Sequence, residues 1–305
     1  MKRIFFLLSF IFILQSSGFS QHFPIYSQYM LNGLAINPAY AGSRDVLSAS
    51  LLWRKQWVGM PGAPNIFSLG AHMPFRNERL AAGLLIYDEK IGFERSTGIF
   101  GNYAYRVRLG NGKLSLGLKG GGNLLKELDN KISLRDPTPD KAFENIKESR
   151  FLPNFGVGAY YVSSKYFIGL SIPTILTYTT SGTTSKTEYN SFNILFTTGY
   201  LWKLSDQFKL KPSTLVKYKL NSSMQFDLNM NMIFFEGDIL WIGASYRNND
   251  AIVGLFEIQV SRKFRLGYSY DYTMGPLSNS NNGSHEILIR YEWRDKVNTL
   301  NPLYF

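Results

Sequence analysis

The chain has 305 residues, a formal charge of +11, 15% aromatic residues and no cysteine. Without cysteine an exported protein has neither disulfides nor a lipidated anchor, so its stability must come from burial and sheet closure. The charge does not mark a nucleic-acid protein, because lysine and arginine are spread along strand-like segments at one parity, with no basic helix or RNA-binding fingerprint; a basic barrel lumen or rim is expected instead.

Lys2 and Arg3 precede an apolar stretch from Ile4 to Leu14, and small residues follow at Gly18 and Ser20. This is a secretory signal layout over residues 1–20, with cleavage expected after Ser20. The stretch is shorter than the roughly 18 to 20 residues that a membrane-crossing helix needs. Loss of Lys2 and Arg3 lowers the charge from +11 to +9. No later apolar run reaches spanning length, which excludes transmembrane helices. The roughly 285 mature residues contain no Pro/Gly/Ser linker, which favours one domain.

Residues 21–44 lack a sustained period of two. Phe23, Tyr26, Tyr29, Met30 and Leu34 in this segment need a surface to cover, so it is expected to plug a lumen or lie along a periplasmic mouth. From Asp45 to residue 294 the apolar and polar residues alternate in short segments, a strand signal. Trp53 and Trp57 fit an interfacial girdle, while Arg54 shares the inward parity of Ser48 and Ser50. Arg106 and Arg108 oppose Tyr105 and Val107, and Lys113 and Lys119 oppose Leu114 and Leu118. Gly120-Gly121-Gly122 falls inside a strand, where glycine permits close packing or a bend rather than cradling phosphate.

The second half alternates most clearly. Lys209, Lys211, Lys217 and Lys219 oppose Phe208, Leu210, Val216 and Tyr218. Phe226, Leu228, Met230, Met232 and Phe234 alternate with Gln225, Asp227, Asn229 and Asn231. Phe264, Leu266, Tyr268, Tyr270 and Tyr272 oppose Arg265, Gly267, Ser269 and Asp271, and Ile287, Ile289, Tyr291 and Trp293 oppose Glu286, Arg290 and Glu292. A lysine or arginine facing lipid at mid-bilayer costs about 2 to 4 kcal/mol, so charges held to one face are what a barrel wall demands, and a lumen can hydrate them.

Alternation suits a soluble β-sandwich equally well, so the connections carry the decision. About fourteen strands are expected on the bacterial barrel template, with every second connection tight. The tight ones are Arg76-Asn77-Glu78, Gly110-Asn111-Gly112, Ser163-Ser164, Ser205-Asp206, Gly237-Asp238 and Ser261-Arg262, all rich in turn residues and assigned to the periplasm. The long ones, Leu124 to Arg150 and Pro173 to Glu188, and a medium one, Gly275 to Ser284, are assigned to the cell exterior. This makes an all-β transmembrane antiparallel barrel with both termini periplasmic and a tail over residues 295–305.

No catalytic, metal or cofactor site is expected. His22, His72 and His285 are isolated in sequence and, without cysteine, make a poor zinc set. Ser284-His285-Glu286 beside Asp271 resembles a hydrolase triad, but neighbours on a strand face opposite ways, so Ser284 and His285 cannot address one site without a bulge. Asp271 is expected to face the lumen near the outer rim and to pair with a lumenal arginine or lysine, and Arg54 is read the same way. Gly156, Gly158 and Gly267 at inward positions leave lumenal space.

Several short motifs stand in order along the chain. They are Tyr26-Ser27-Gln28-Tyr29-Met30-Leu31-Asn32, Asn37-Pro38-Ala39-Tyr40-Ala41-Gly42, Arg54-Lys55-Gln56-Trp57 running into Gly62-Ala63-Pro64, Tyr103-Ala104-Tyr105-Arg106, Leu114-Ser115-Leu116-Gly117-Leu118 and Gly169-Leu170-Ser171-Ile172-Pro173. Trp241-Ile242-Gly243-Ala244-Ser245-Tyr246-Arg247, Gly267-Tyr268-Ser269-Tyr270-Asp271-Tyr272 and Gly283-Ser284-His285-Glu286-Ile287 complete the series. This series resembles the PorP/SprF family, which often has phenylalanine where Tyr26 stands. The resemblance implies a non-enzymatic outer-membrane component of type IX secretion and gliding motility in Bacteroidota. Such a protein captures or anchors secreted cargo with a C-terminal targeting domain, such as large adhesins, and associates with other type IX components, including periplasmic proteins, and with outer-membrane lipid. The long loops are then the leading cargo surface, with Phe143, Tyr178 and Tyr189 as apolar contacts and Arg54 and Asp271 as further partner-binding candidates. The alternative is a porin-like or hydrophobic-solute channel.

Overall fold

The computed structural model describes residues 26–127, 149–181, 184–188, 192–220, 223–235 and 237–293. Its strands are β1 (Leu47–Lys55), β2 (Asn65–Pro74), β3 (Leu80–Ile91), β4 (Glu94–Leu109), β5 (Gly112–Glu127), β6 (Arg150–Ser163), β7 (Tyr166–Ile172), β8 (Thr177–Ser181) and β9 (Thr184–Glu188). They continue with β10 (Asn193–Tyr200), β11 (Trp202–Lys203), β12 (Phe208–Lys219), β13 (Gln225–Phe234), β14 (Leu240–Arg247), β15 (Ala251–Gln259), β16 (Phe264–Thr273) and β17 (Ser284–Trp293).

Fourteen of these strands form a closed antiparallel barrel. Each pairs with its neighbour in sequence, β10 bridges β7 and β12, and β1 meets β17 from Leu47 opposite Trp293 to Lys55 opposite His285. Closure leaves no unpaired strand edge, which is what a sheet in lipid requires. β8 and β9 form a separate hairpin, and β11 is a two-residue ladder on β12. The stretch from Pro173 to Glu188 is therefore partly a hairpin rather than an irregular loop, and Leu124 and Arg150 lie within β5 and β6.

The period-two pattern matches the two faces of the wall. On β16, Phe264, Leu266, Tyr268 and Tyr272 are exposed while Arg265, Gly267, Ser269 and Asp271 are buried. Outward aromatics ring both ends: Phe75, Tyr105, Tyr166, Trp202, Phe208 and Trp293 at one, Trp53, Phe67, Phe93, Phe151, Tyr246 and Tyr272 at the other. Such girdles belong at membrane interfaces. Trp57 does not join them; it is part-buried in the β1–β2 connection, where its backbone N–H donates to Ser284 Oγ at 3.1 Å.

One mouth is bounded by the six expected tight connections, and we term it the turn mouth. The other, the loop mouth, carries the long connections but also two short ones, residues 92–93 and 248–250. Loop length alone therefore separates the ends less cleanly than expected.

The barrel is filled. Every residue from 26 to 44 is buried. This segment comprises a turn over residues 27–31, one helical turn, α1 (Gly33–Ile36), and a 3-10 turn over Pro38–Tyr40. Its Tyr26, Tyr29, Leu31, Leu34, Ile36 and Tyr40 form one apolar core with inward residues such as Leu52, Leu85, Phe100, Tyr160, Leu195, Ile233 and Leu288. The lumenal face thus includes apolar side chains that match the segment, and several of its charges form buried ion pairs, Arg54 with Asp271 and Arg247 with Asp227 among them. β1 begins and β17 ends at the turn mouth, but the segment before β1 runs back through the lumen, so Ser27 lies at the loop mouth beside Glu286 and Asp271. The two ends of the described chain are consequently at opposite mouths.

Candidate functional site

The segment in the lumen is anchored at both ends, and its loop-mouth anchor brings together Arg54 and Asp271. Their ion pair is 2.7 Å long, and both side chains are almost completely buried. Arg54 also reaches Glu286 at 3.2 Å, and Arg247 pairs with Asp227 at 3.0 Å, Asp250 at 3.1 Å and Asp271 at 3.4 Å. β1, β13, β14, β16 and β17 each deliver their residue near the same end of the barrel, because antiparallel register sets Arg54 opposite Glu286 and Asp227 opposite Arg247.

Two guanidinium groups in this cluster face four carboxylates. The excess negative charge meets the start of the buried segment, where Glu286 accepts the backbone N–H of Ser27 at 2.9 Å and of Gln28 at 2.7 Å. Ser27 Oγ donates to Asp271 at 2.7 and 2.8 Å. Buried carboxylates need such donors, and hydrogen bonds to charged groups are among the stronger ones. We call this arrangement the clasp.

Below it, the segment is held by shape and by further hydrogen bonds. Asn229 Nδ2 donates to the Tyr29 hydroxyl at 2.5 Å, Ser213 Oγ donates to the Met30 sulfur at 3.1 Å, and Arg290 donates to the Leu31 carbonyl at 3.1 Å.

The Asn37-Pro38-Ala39-Tyr40 motif has a structural reason. Asn37 Oδ1 accepts Ala39 N–H at 2.9 Å while its Nδ2 donates to the Ala159 carbonyl at 3.0 Å, which locks the 3-10 turn against β6. Tyr40 packs edge-on against His72 and Tyr160 at 5.4 and 5.5 Å. The turn approaches the wall where it has no side chain: a Cβ on Gly117 would stand 2.2 Å from Ala39 N, and one on Gly158 would stand 2.1 Å from Asn37 Oδ1. Gly267 does the same for Gln28 Oε1 at 2.2 Å, and Gly156 faces the Pro173 backbone. These glycines therefore do not leave lumenal volume; Gly158 and Gly267 admit the segment.

At the turn mouth Arg44 pairs with Glu292 at 2.5 Å, and Asp45 pairs with Arg106 and, at 3.0 Å, with Lys113. Gly42 at φ 73° and Asp45 at φ 55° turn the chain from the lumen into β1.

Of the candidate partner-binding residues, Arg54 and Asp271 thus meet in the clasp, beneath the segment and out of reach of a partner while it is in place. Tyr178 lies on β8 and its hydroxyl donates to the Pro153 carbonyl, tying the hairpin to β6. Phe143 and Tyr189 lie outside the described residues. Ser284 is buried inward while His285 faces outward, 2.7 Å from the Tyr268 hydroxyl, so the hydrolase arrangement is not formed. Sequence reasoning did not find the parts played by Ser27, Gln28, Asp227 and Arg247. Asp227 and Arg247 could be read as inward charges at one end of successive strands once register was known, whereas Ser27 and Gln28 lie before β1 and carry no such signal.

The segments that make the clasp and the 3-10 turn are the ones whose motifs suggested a family. The family model for the type IX secretion system membrane protein PorP/SprF matches residues 18–291. The chain belongs to the PorP/SprF family.

As a PorP/SprF protein it is an outer-membrane component of type IX secretion. No curated protein matches the sequence. Similar solved structures include the outer-membrane protein Omp33 of Acinetobacter baumannii, at 7% identity and TM-score 0.47 over 82% of this chain and 99% of that one. The CymD monoaromatic hydrocarbon channel is 13% identical, with TM-score 0.49 over 90% and 94%. The KdgM porin is 8% identical, with TM-score 0.38 over 80% and 99%. None of these likenesses bears on what this barrel passes or binds.

Proposed function

We propose that this PorP/SprF protein is a secretion and attachment subunit without solute specificity, which captures or anchors secreted proteins bearing a C-terminal targeting domain, such as large adhesins, at the cell surface. One observation carries this reading: residues 26–44 occupy the lumen and are tied at both mouths by buried charge. A diffusion channel needs an unobstructed path with weak, reversible sites along it, whereas a filled barrel is a rigid post whose rims are its working surfaces. In this reading residues 1–20 are a removed signal, residues 21–44 form a plug, and the loop mouth faces the exterior and presents Phe143, Tyr178 and Tyr189 to cargo. The turn mouth faces the periplasm and other components of the machine.

The test is cross-linking of the native protein in cells. Recovery of a C-terminal cargo domain is the expected result, with yield reduced when Phe143, Tyr178 and Tyr189 are replaced together by alanine. A barrel recovered without a partner, together with conductance that saturates with a solute, would replace this proposal with a transport channel.

A further inference from the structure

The turn mouth holds a charged region that the buried segment leaves largely unused. Leu80, the first residue of β3, pairs with Tyr105, but β4 continues past it to Leu109, which pairs with Gly112 of β5. The β4–β5 hairpin therefore stands above the β2–β3 turn. The step between them is a pocket of about 610 Å³ lined by Arg76, Arg79, Arg108 and Lys113, with Asn77 and Glu78 beside them and outward-facing Tyr105 and Val107 also on its wall.

The pocket is built on fixed backbone. Asn77 Oδ1 accepts the N–H groups of Arg79 and Leu80 at 3.1 and 3.2 Å, and Arg106 N–H donates to the Arg79 carbonyl at 2.6 Å. Lys113 is engaged by Asp45 at 3.0 Å and Glu78 at 3.8 Å. Arg76, Arg79 and Arg108 are exposed and have no carboxylate at salt-bridge distance among the described residues. Alternation gives Arg108 and Lys113 the parity of buried Arg106 and Ser115, so these two cations belong to the mouth of the barrel rather than the lipid face.

Guanidinium groups match carboxylates through a planar fork of donors. The pocket volume is some twenty times the roughly 30 Å³ share of one water, so it fits several side chains rather than one small ion. Lys165, Arg262 and Lys263, exposed on neighbouring turns, extend the positive potential across the mouth. We propose that this pocket docks an acidic segment, a run of aspartate or glutamate, of a protein partner on the turn side of the membrane. The proposal rests on the reading of the barrel as a subunit of a larger machine, and it names the chemistry by which the turn mouth joins that machine.

The full-length protein, purified in detergent, is titrated with labelled hexaglutamate and hexaglutamine peptides. The glutamate peptide is expected to bind saturably and the glutamine peptide not, with affinity falling about tenfold as screening salt is raised tenfold. The R76E/R79E/R108E triple variant is expected to bind at least about thirtyfold more weakly, while K203E, elsewhere on the same mouth, changes binding less than about threefold. Unaltered heat-dependent gel mobility reports that the triple variant has folded, and R108E alone, expected at about threefold to tenfold weaker binding, replaces it if it has not. Equal binding by wild type and the folded variant, or equal binding of both peptides, would overturn the proposal. So would capture of phosphatidylglycerol vesicles through these arginines without peptide binding, which would assign the pocket to lipid. Absence of saturable peptide binding by the wild type, with cargo cross-linking intact, removes the pocket's role and leaves the attachment function standing; the converse pattern removes the attachment function alone.

Discussion

Replacing Glu286 with alanine should loosen the first turn of the buried segment without ejecting the rest. Glu286 accepts Gln28 N–H at 2.7 Å, Ser27 N–H at 2.9 Å and Arg54 Nη1 at 3.2 Å. A hydrogen bond to a buried charge contributes about 1.5 to 3 kcal/mol, and removing one member of a buried ion pair costs about 3 to 5 kcal/mol. Two features hold the loss to the lower end. Arg54 keeps Asp271 at 2.7 Å and Ser27 Oγ at 3.0 Å, and the cluster sheds one of its four carboxylates. A net loss of about 3 kcal/mol changes the local opening equilibrium about a hundredfold, at about 1.4 kcal/mol per factor of ten. Tyr29, Leu31, Leu34, Ile36 and Tyr40 remain buried, and at about 1.5 to 3 kcal/mol for each large side chain they keep the segment docked. Amide hydrogen exchange measured on a peptide covering residues 26–31 is the assay. Exchange of Ser27 and Gln28 should accelerate about a hundredfold in E286A and by an intermediate factor in E286Q, which retains one acceptor, with peptides from β4 and β5 unchanged. Unaltered exchange at residues 26–31, or equal acceleration throughout the barrel, would refute the clasp as the local anchor.

Deletion of residues 21–42 should leave barrel folding intact and raise conductance in planar bilayers; unchanged conductance would show that the segment is not the barrier. Gly117→Leu should act the same way more weakly, because its Cβ would stand 2.2 Å from Ala39 N and overpacking typically costs about 1 to 3 kcal/mol; a conductance equal to wild type would show that the 3-10 turn yields instead. Leu118, exposed in the middle of β5, should tolerate lysine poorly, with about 2 to 4 kcal/mol lost and a smaller fraction migrating as the compact unboiled form; an unaffected fraction would place that face outside lipid. Purified barrel should show no ester or phospholipid hydrolysis, and turnover that vanishes in His285→Ala would reopen an enzymatic role.

The wall was legible because its physics is local. Side chains alternate across a strand with a period of two, so the outward run Phe264, Leu266, Tyr268 and Tyr272 and the inward run Arg265, Ser269 and Asp271 can be assigned by counting. The pairing of Asp271 with a basic residue follows from the same parity, since an unpaired carboxylate cannot stay buried. Loop length was a weaker guide, as the short connections at residues 92–93 and 248–250 show. A tight turn fits either mouth when the strands it joins end level with one another.

Sequence by itself determined that the chain builds antiparallel strands with one greasy and one largely polar face, because alternation and turn chemistry act over a few residues. Tertiary structure alone decided what fills that wall. Residues 26–44 have no repeating pattern, since each side chain answers a different point on the lumen: Gln28 meets Gly267, Ala39 meets Gly117, and Ser27 meets Asp271 and Glu286 more than 200 positions away. Register and closure bring these partners together, so the segment's fit exists only once the barrel is complete.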